Sequence, residues 1–210
     1  MEQLLSVEEA TNRVYTDLEE FTGWKFLKSQ RCLKKKVKDL ELYIHFYTSK
    51  WNASQEYVGL NATFSIVYKK LGKLPVENTV AYYEYHPETG EDAYWYDIST
   101  KDKLVEAIDA LKHEIQGTAL LLEKQIENGI EDAVRSLVDD YFEEYHVMLN
   151  FAADILGVDA IMPRVEMIVK SLSDEEKQQV SDYRNGIRTK QWMLNPTNLK
   201  YIVDNNYDIN

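Results

Sequence analysis

The spacing of apolar positions changes twice along this chain, from helical to alternating near Trp24 and back to helical near Thr100. Ser6 precedes Val7-Glu8-Glu9-Ala10 with a glutamate three residues on, the pattern of a capping box. Val14, Leu18 and Phe21 follow at helical spacing and Thr22-Gly23 ends the run, which predicts a helix over 7–21. Short strands are expected at 24–28 and 31–37. In the next, 40–47, Leu40, Leu42, Ile44 and Phe46 alternate with Glu41, Tyr43, His45 and Tyr47. A fourth strand, 56–69, sets Val58, Leu60, Ala62, Phe64 and Ile66 on one face; further strands are expected at 79–86 and 93–98, around a loop containing Pro87 and Gly90. Helices are then expected at 100–126, 130–156, 159–171, 173–185 and 197–204, with breaks at Asn128-Gly129 and Gly157.

This order predicts an α+β fold: an antiparallel sheet of five or six strands with an N-terminal helix and a C-terminal helical region. The expected division is a helix-sheet-helix domain at 1–128 and a helical region at 129–210, which either packs on the sheet or stands as a second domain.

Composition narrows the class. Cys32 is the sole cysteine, so no intrachain disulfide forms and a reducing, cytoplasmic setting is expected. Met1 to Thr11 lacks the basic and apolar regions of a signal peptide, and no 18-residue apolar run is present to span a membrane. The net charge of −12 is unevenly spread. Residues 24–73 carry eleven basic and three acidic side chains, a charge of +8, which leaves −20 on the rest.

Gly23-Trp24-Lys25-Phe26, Ile44-His45-Phe46-Tyr47, Ser49-Lys50-Trp51-Asn52, Asn61-Ala62-Thr63-Phe64 and Tyr94-Trp95-Tyr96 together resemble a bacterial family called domain of unknown function 4304. The resemblance covers about 7–126, and Ser49-Lys50-Trp51-Asn52 is its most specific part. Tyr47-Thr48 replaces the family's usual glutamine-lysine pair, and Trp24 stands where phenylalanine is common. The resemblance implies the same α+β fold but no activity, cofactor or catalytic residue.

Several constellations are candidates for chemistry. Tyr43, His45 and Tyr47 share the polar face of one strand, and Asn61 is expected on the same face; with Trp51 they make a tyrosine-rich binding surface, unless the C-terminal helices cover it. Lys34-Lys35-Lys36 beside aromatics could bind single-stranded nucleic acid, or form a solvated edge strand, or be neutralised by acidic helices of the same chain. Asp139, Asp140, Glu143 and Glu144, interleaved with Tyr141, Phe142 and Tyr145, suit a basic protein partner such as a nuclease toxin, or are an ordinary solvated helix face. Glu143 and His146 have the Glu-x-x-His spacing of a helical metal pair, and Asp109 and His113 lie one turn apart; accidental pairing in a chain with 36 acids is the alternative. Cys32 lies between Arg31 and Leu33 with no histidine placed beside it by sequence, so it is expected to be inert. No cofactor motif is found. The expectation is a non-enzymatic protein-binding module, with immunity or defence as a fitting role. A nucleic-acid-binding module and a metal-dependent enzyme are the alternatives.

Overall fold

The computed structural model describes residues 4–54, 56–72, 78–87, 95–187 and 198–208. Within them the chain forms two compact units, one of residues 1–67 and 82–128, the other of 68–81 and 129–210.

The first unit opens with α1 (Val7–Thr22). Ser6 Oγ accepts the Glu9 N–H while the Glu9 carboxylate accepts the Ser6 N–H, so the capping box is closed. Gly23 ends the helix at φ 66°, donating its N–H to Glu19 O. The strands are β1 (Lys25–Leu27), β2 (Cys32–Val37), β3 (Leu40–Thr48), β4 (Gly59–Tyr68), β5 (Thr79–Tyr85) and β6 (Tyr96–Asp97). The first five are adjacent in that order, β6 pairs with the start of β4, and β1–β2, β2–β3 and β4–β6 are antiparallel pairs. The α+β architecture with an antiparallel sheet is therefore present. Residues 93 and 94 of the sixth predicted strand lie outside the described residues, as does 88–92 of the loop before it.

The apolar alternation sets the core. Leu33, Leu42, Ile44 and Phe64 are buried on one sheet face. Tyr15 of α1 stacks on Phe26 at 4.6 Å, and Trp24 meets Phe64 at 6.4 Å. Two helices, α2 (Lys101–Gly117) and α3 (Ala119–Asn128), add Leu104, Ile108, Leu111, Leu122 and Ile126 to the buried set. The single helix expected over 100–126 breaks at Thr118. Its hydroxyl bonds Glu114 O at 2.7 Å and lies 3.0 Å from Tyr85 Oη, and its own backbone leaves the helical region (φ −117°, ψ −85°).

The second unit holds α4 (Ile130–Asp139), α5 (Leu149–Leu156), α6 (Val158–Ser171), α7 (Asp174–Arg184) and α8 (Asn198–Asp204). The expected helix over 130–156 is two, separated by turns at 140–148. The Arg164 Nε–H donates to Val138 O at 2.7 Å and an Nη2–H to Asp139 O, closing the end of α4 with a cation where the helix dipole is negative. His146 then adopts φ 43°. No helix among the described residues is long and apolar enough to cross a membrane.

Candidate functional site

The β2–β3 register fixes one face of the first unit. Lys34 lies opposite Tyr43, Cys32 opposite His45, and Lys36 opposite Glu41. Lys34 Nζ is 3.0 Å from Glu41 Oε1 and sits 5.0 Å from the centre of the Tyr43 ring. The Tyr43 hydroxyl donates to Glu41 Oε2 at 2.7 Å. Tyr43 and His45 stack at 5.4 Å with a 12° interplanar angle, and Tyr47 follows at 6.5 Å from His45. Three aromatic rings thus run in a row along β3, because strand residues two apart share a face.

Exposure along this row is graded: Tyr43 and His45 are half-buried and Tyr47 is 50% exposed. Asn61 is only 7% exposed, so its amide is not on the open surface with Tyr47, although both β3 and β4 are interior strands. Burial holds the His45 imidazole below its ordinary pKa. Among the described residues His45 donates no N–H to an orienting carboxylate; it lies between the Tyr43 and Tyr47 rings and opposite Cys32.

The segment after β3 divides its residues by role. The Asn52 Nδ2–H donates to Gly59 O at 3.0 Å and its Oδ1 accepts the Gly59 N–H at 2.7 Å. Ser49 is buried; its N–H donates to Gly59 O, and its Oγ accepts the Trp51 N–H at 3.2 Å. Trp51 projects outward at 75% exposure, with Lys50 Nζ 5.0 Å from its ring centre. A Cβ at Gly59 would stand 2.5 Å from the Tyr57 Oη, so a side chain there requires the Tyr57 ring to shift.

Lys34, Lys35 and Lys36 do not form one patch. Alternation sends Lys35 to the opposite face, where its Nζ meets Glu123 Oε1 at 2.8 Å. Lys34 is engaged by Glu41, and Lys36 is the exposed member of the run. The Tyr43 ring, with His45 stacked along it and Lys34 above it, offers little face for a nucleobase.

In the second unit Asp139, Asp140, Glu143 and Glu144 are all exposed. The interleaved aromatics divide: Phe142 and Tyr145 are buried, and Tyr141 is exposed. Glu143 and His146 lie in the turns after α4, so the helical geometry that a Glu-x-x-His metal pair requires is lost. Asp109 and His113 are exposed on α2, and no group of three or more metal-ligating side chains occurs among the described residues. Cys32 is buried, and burial raises its thiol pKa against the opposing pull of Lys34.

Two features escape a linear reading. Glu123 joins Lys35 to the Trp24 indole, whose Nε1–H donates to Glu123 Oε2 at 2.7 Å, across 99 residues of sequence. A cleft of about 770 Å³ lies between α1 and the β1–β2 turn. Its wall includes Arg31, at φ 49°, a conformation that the turn-like Ser29-Gln30 pair before it only faintly signals.

The fold and surface describe a mixed α+β protein with an aromatic face on an antiparallel sheet. Comparison with family models, curated proteins and solved structures finds no match to this chain.

Proposed function

We propose that this chain is a non-enzymatic cytoplasmic binding module that recognises a protein partner through Trp51 and Tyr47. The supporting observation is the 75% exposure of Trp51 on a segment clamped by Asn52 and Ser49. Tryptophan and tyrosine dominate binding hot spots, and a rigid anchor loses little conformational entropy on association. Tyr47 lies four residues away, within roughly 14 Å by chain reach. Tyr43 and His45 back it along β3. Kinship with the domain of unknown function 4304 family belongs to the same proposal. It rests on the Ser49 to Asn52 segment, in which two residues hold the loop and one faces outward.

The test is a photo-crosslinking amino acid placed at position 51 in living cells, with position 105 as control, since Val105 is also exposed. Position 51 should give a discrete protein adduct, weakened by Tyr47→Ser and absent from position 105. No adduct, or the same adducts from both positions, overturns the reading. A nucleic-acid adduct would transfer it to the alternative partner. The exposed Asp139, Asp140, Glu143 and Glu144 support a second reading, a surface for a basic partner such as a toxin in an immunity or defence setting. Lysine at all four should then abolish a salt-sensitive complex, and unchanged affinity removes that surface.

A further inference from the structure

Given the Trp51 surface as the docking site, we infer that its partner is an acidic protein segment, with carboxylates at Lys25 and Lys36 and an apolar part on Tyr47 and Trp51. Cross-strand register assembles the charged end. Lys25 of β1 stands opposite Lys34 of β2, and Lys34 opposite Tyr43 of β3, so the two lysines share the face of the aromatic row. Lys36 lies two residues along β2 on that same face. The three lysines therefore stand within roughly 8 Å of one another between Cα atoms. Helices α1 and α3 meet the opposite face, where Tyr15 lies 5.2 Å from the Phe46 ring and Glu123 pairs with Lys35. Glu41 is the acid at these strand positions. It is 9% exposed and both its oxygens are engaged, Oε1 by Lys34 at 3.0 Å and Oε2 by the Tyr43 hydroxyl at 2.7 Å. Lys25 and Lys36 are exposed, and neither makes an ion pair among the described residues. Like charges directly opposite on neighbouring strands cost stability, and Lys25 faces Lys34 with Glu41 set against Lys34 alone. A partner carboxylate between Lys25 and Lys36 offsets that repulsion.

The other end is aromatic. From Tyr43 the row runs through His45 to Tyr47, about 13 Å along β3, and Trp51 follows with Lys50 Nζ 5.0 Å from its ring. A segment with its charge at one end and apolar side chains at the other fits this order. A nucleic acid strand repeats its charge at every nucleotide, so it would carry phosphates along the aromatic row and against a chain of net charge −12. A basic or neutral segment would leave Lys25 and Lys36 without a counter-charge.

The test places the photo-crosslinking amino acid at position 51 of the full chain in living cells and varies the lysines. Lys25→Glu sets a carboxylate opposite Lys34, and Lys25→Gln with Lys36→Gln removes both unpaired charges. Each should lower the position-51 protein adduct about fivefold. Lys124→Glu, the same charge change at an exposed position of α3, should leave it unchanged. In the captured protein, mass spectrometry should place aspartate or glutamate in a cluster within about ten residues of the cross-linked site, the reach of an extended segment across the face. An undiminished adduct in both lysine backgrounds, an equal loss with Lys124→Glu, a captured segment without acids, or nucleic acid in place of protein overturns the acidic partner and leaves position 51 as the docking site. Absence of any adduct from the native background overturns the Trp51 reading itself, and the acidic partner with it. Should either lysine variant lose native circular dichroism, the other decides by the same criteria.

Discussion

Glu123 accepts from a buried indole and an ammonium at once, and replacing it separates the two contributions. In Glu123→Leu the Trp24 N–H, on a residue 1% exposed, loses its acceptor at 2.7 Å. An orphaned buried donor costs about 1–3 kcal/mol. The Lys35 ammonium is also released, but its side chain is 37% exposed, so solvent screens the pair and its share is at most about 1 kcal/mol. A total near 2 kcal/mol follows, which is roughly a thirtyfold rise in the opening equilibrium of the surrounding structure. Native-state hydrogen exchange reads this in the amides of β2 and α3. Glu123→Gln keeps an acceptor for the indole and should lose about 1 kcal/mol or less. Trp24→Phe, by removing the orphaned donor, should cost less in the Glu123→Leu background than in the wild type. The hydrogen bond and charge of Glu123 raise the Lys35 pKa, so that contribution is complete below the ordinary lysine range and is lost only as pH rises through the higher folded value. The Leu-versus-wild-type difference should therefore be flat between about pH 6 and 9. Equal exchange in Glu123→Leu and Glu123→Gln would refute the argument, since the indole bond would then carry no weight.

Other contacts give further outcomes. Asp97 is pushed up by burial, but the Lys103 ammonium at 2.7 Å and the Ser99 bonds pull its carboxyl below the usual range. Its contribution is present above the unfolded pKa and lost as pH falls through the folded one, so the urea-midpoint deficit of Asp97→Asn at about pH 7 should shrink by about pH 2.5. Asn52→Ala removes both bonds to Gly59 and should cost about 2–3 kcal/mol in a urea titration, whereas Trp51→Ala should change stability by less than about 0.5 kcal/mol. Arg164→Met uncaps the end of α4, and exchange at residues 140–148 should rise by about tenfold, the equivalent of about 1.4 kcal/mol.

The elements that could be read from sequence are those fixed by neighbours in the chain. Ser6 and Glu9 close the start of α1 within four residues, and Leu40 to Phe46 display their buried face by alternation alone. The end of α4 is different. Residues 140–148 retain apolar side chains at spacings a helix would use, yet the decisive group, Arg164, lies 26 residues beyond the carbonyl it caps. The buried positions there, Phe142, Tyr145, Val147 and Leu149, leave the helical period for an alternating one near the end. In the lysine run alternation implies that Lys35 opposes Lys34 and Lys36, and of the three expectations for the run, neutralisation by an acidic helix holds for Lys35, which pairs with Glu123 of α3. The cleft beside Arg31 draws on α1, the β1–β2 turn and the segment after β3, and only folding brings these together.

The same four residues, Ser49 to Asn52, bear on both structure and recognition, and their contacts separate the two. Asn52 spends both ends of its amide on Gly59, and Ser49 turns its hydroxyl onto the Trp51 backbone. Those bonds determine where Trp51 stands, while nothing in them requires the side chain to be tryptophan. A purely structural tryptophan would be drawn into the apolar layer, as Trp24 is. Trp51 instead holds most of its ring in water, where a smaller polar residue would leave the loop intact and lower the apolar area presented to solvent. Lys50 shields part of the ring by a cation–π contact, which at an exposed site contributes about 0.5–1 kcal/mol, less than burial of the whole side chain would return. The residual drive to cover that ring, on a loop already fixed in place, is the physical reason to look for the partner at Trp51 before anywhere else on the molecule.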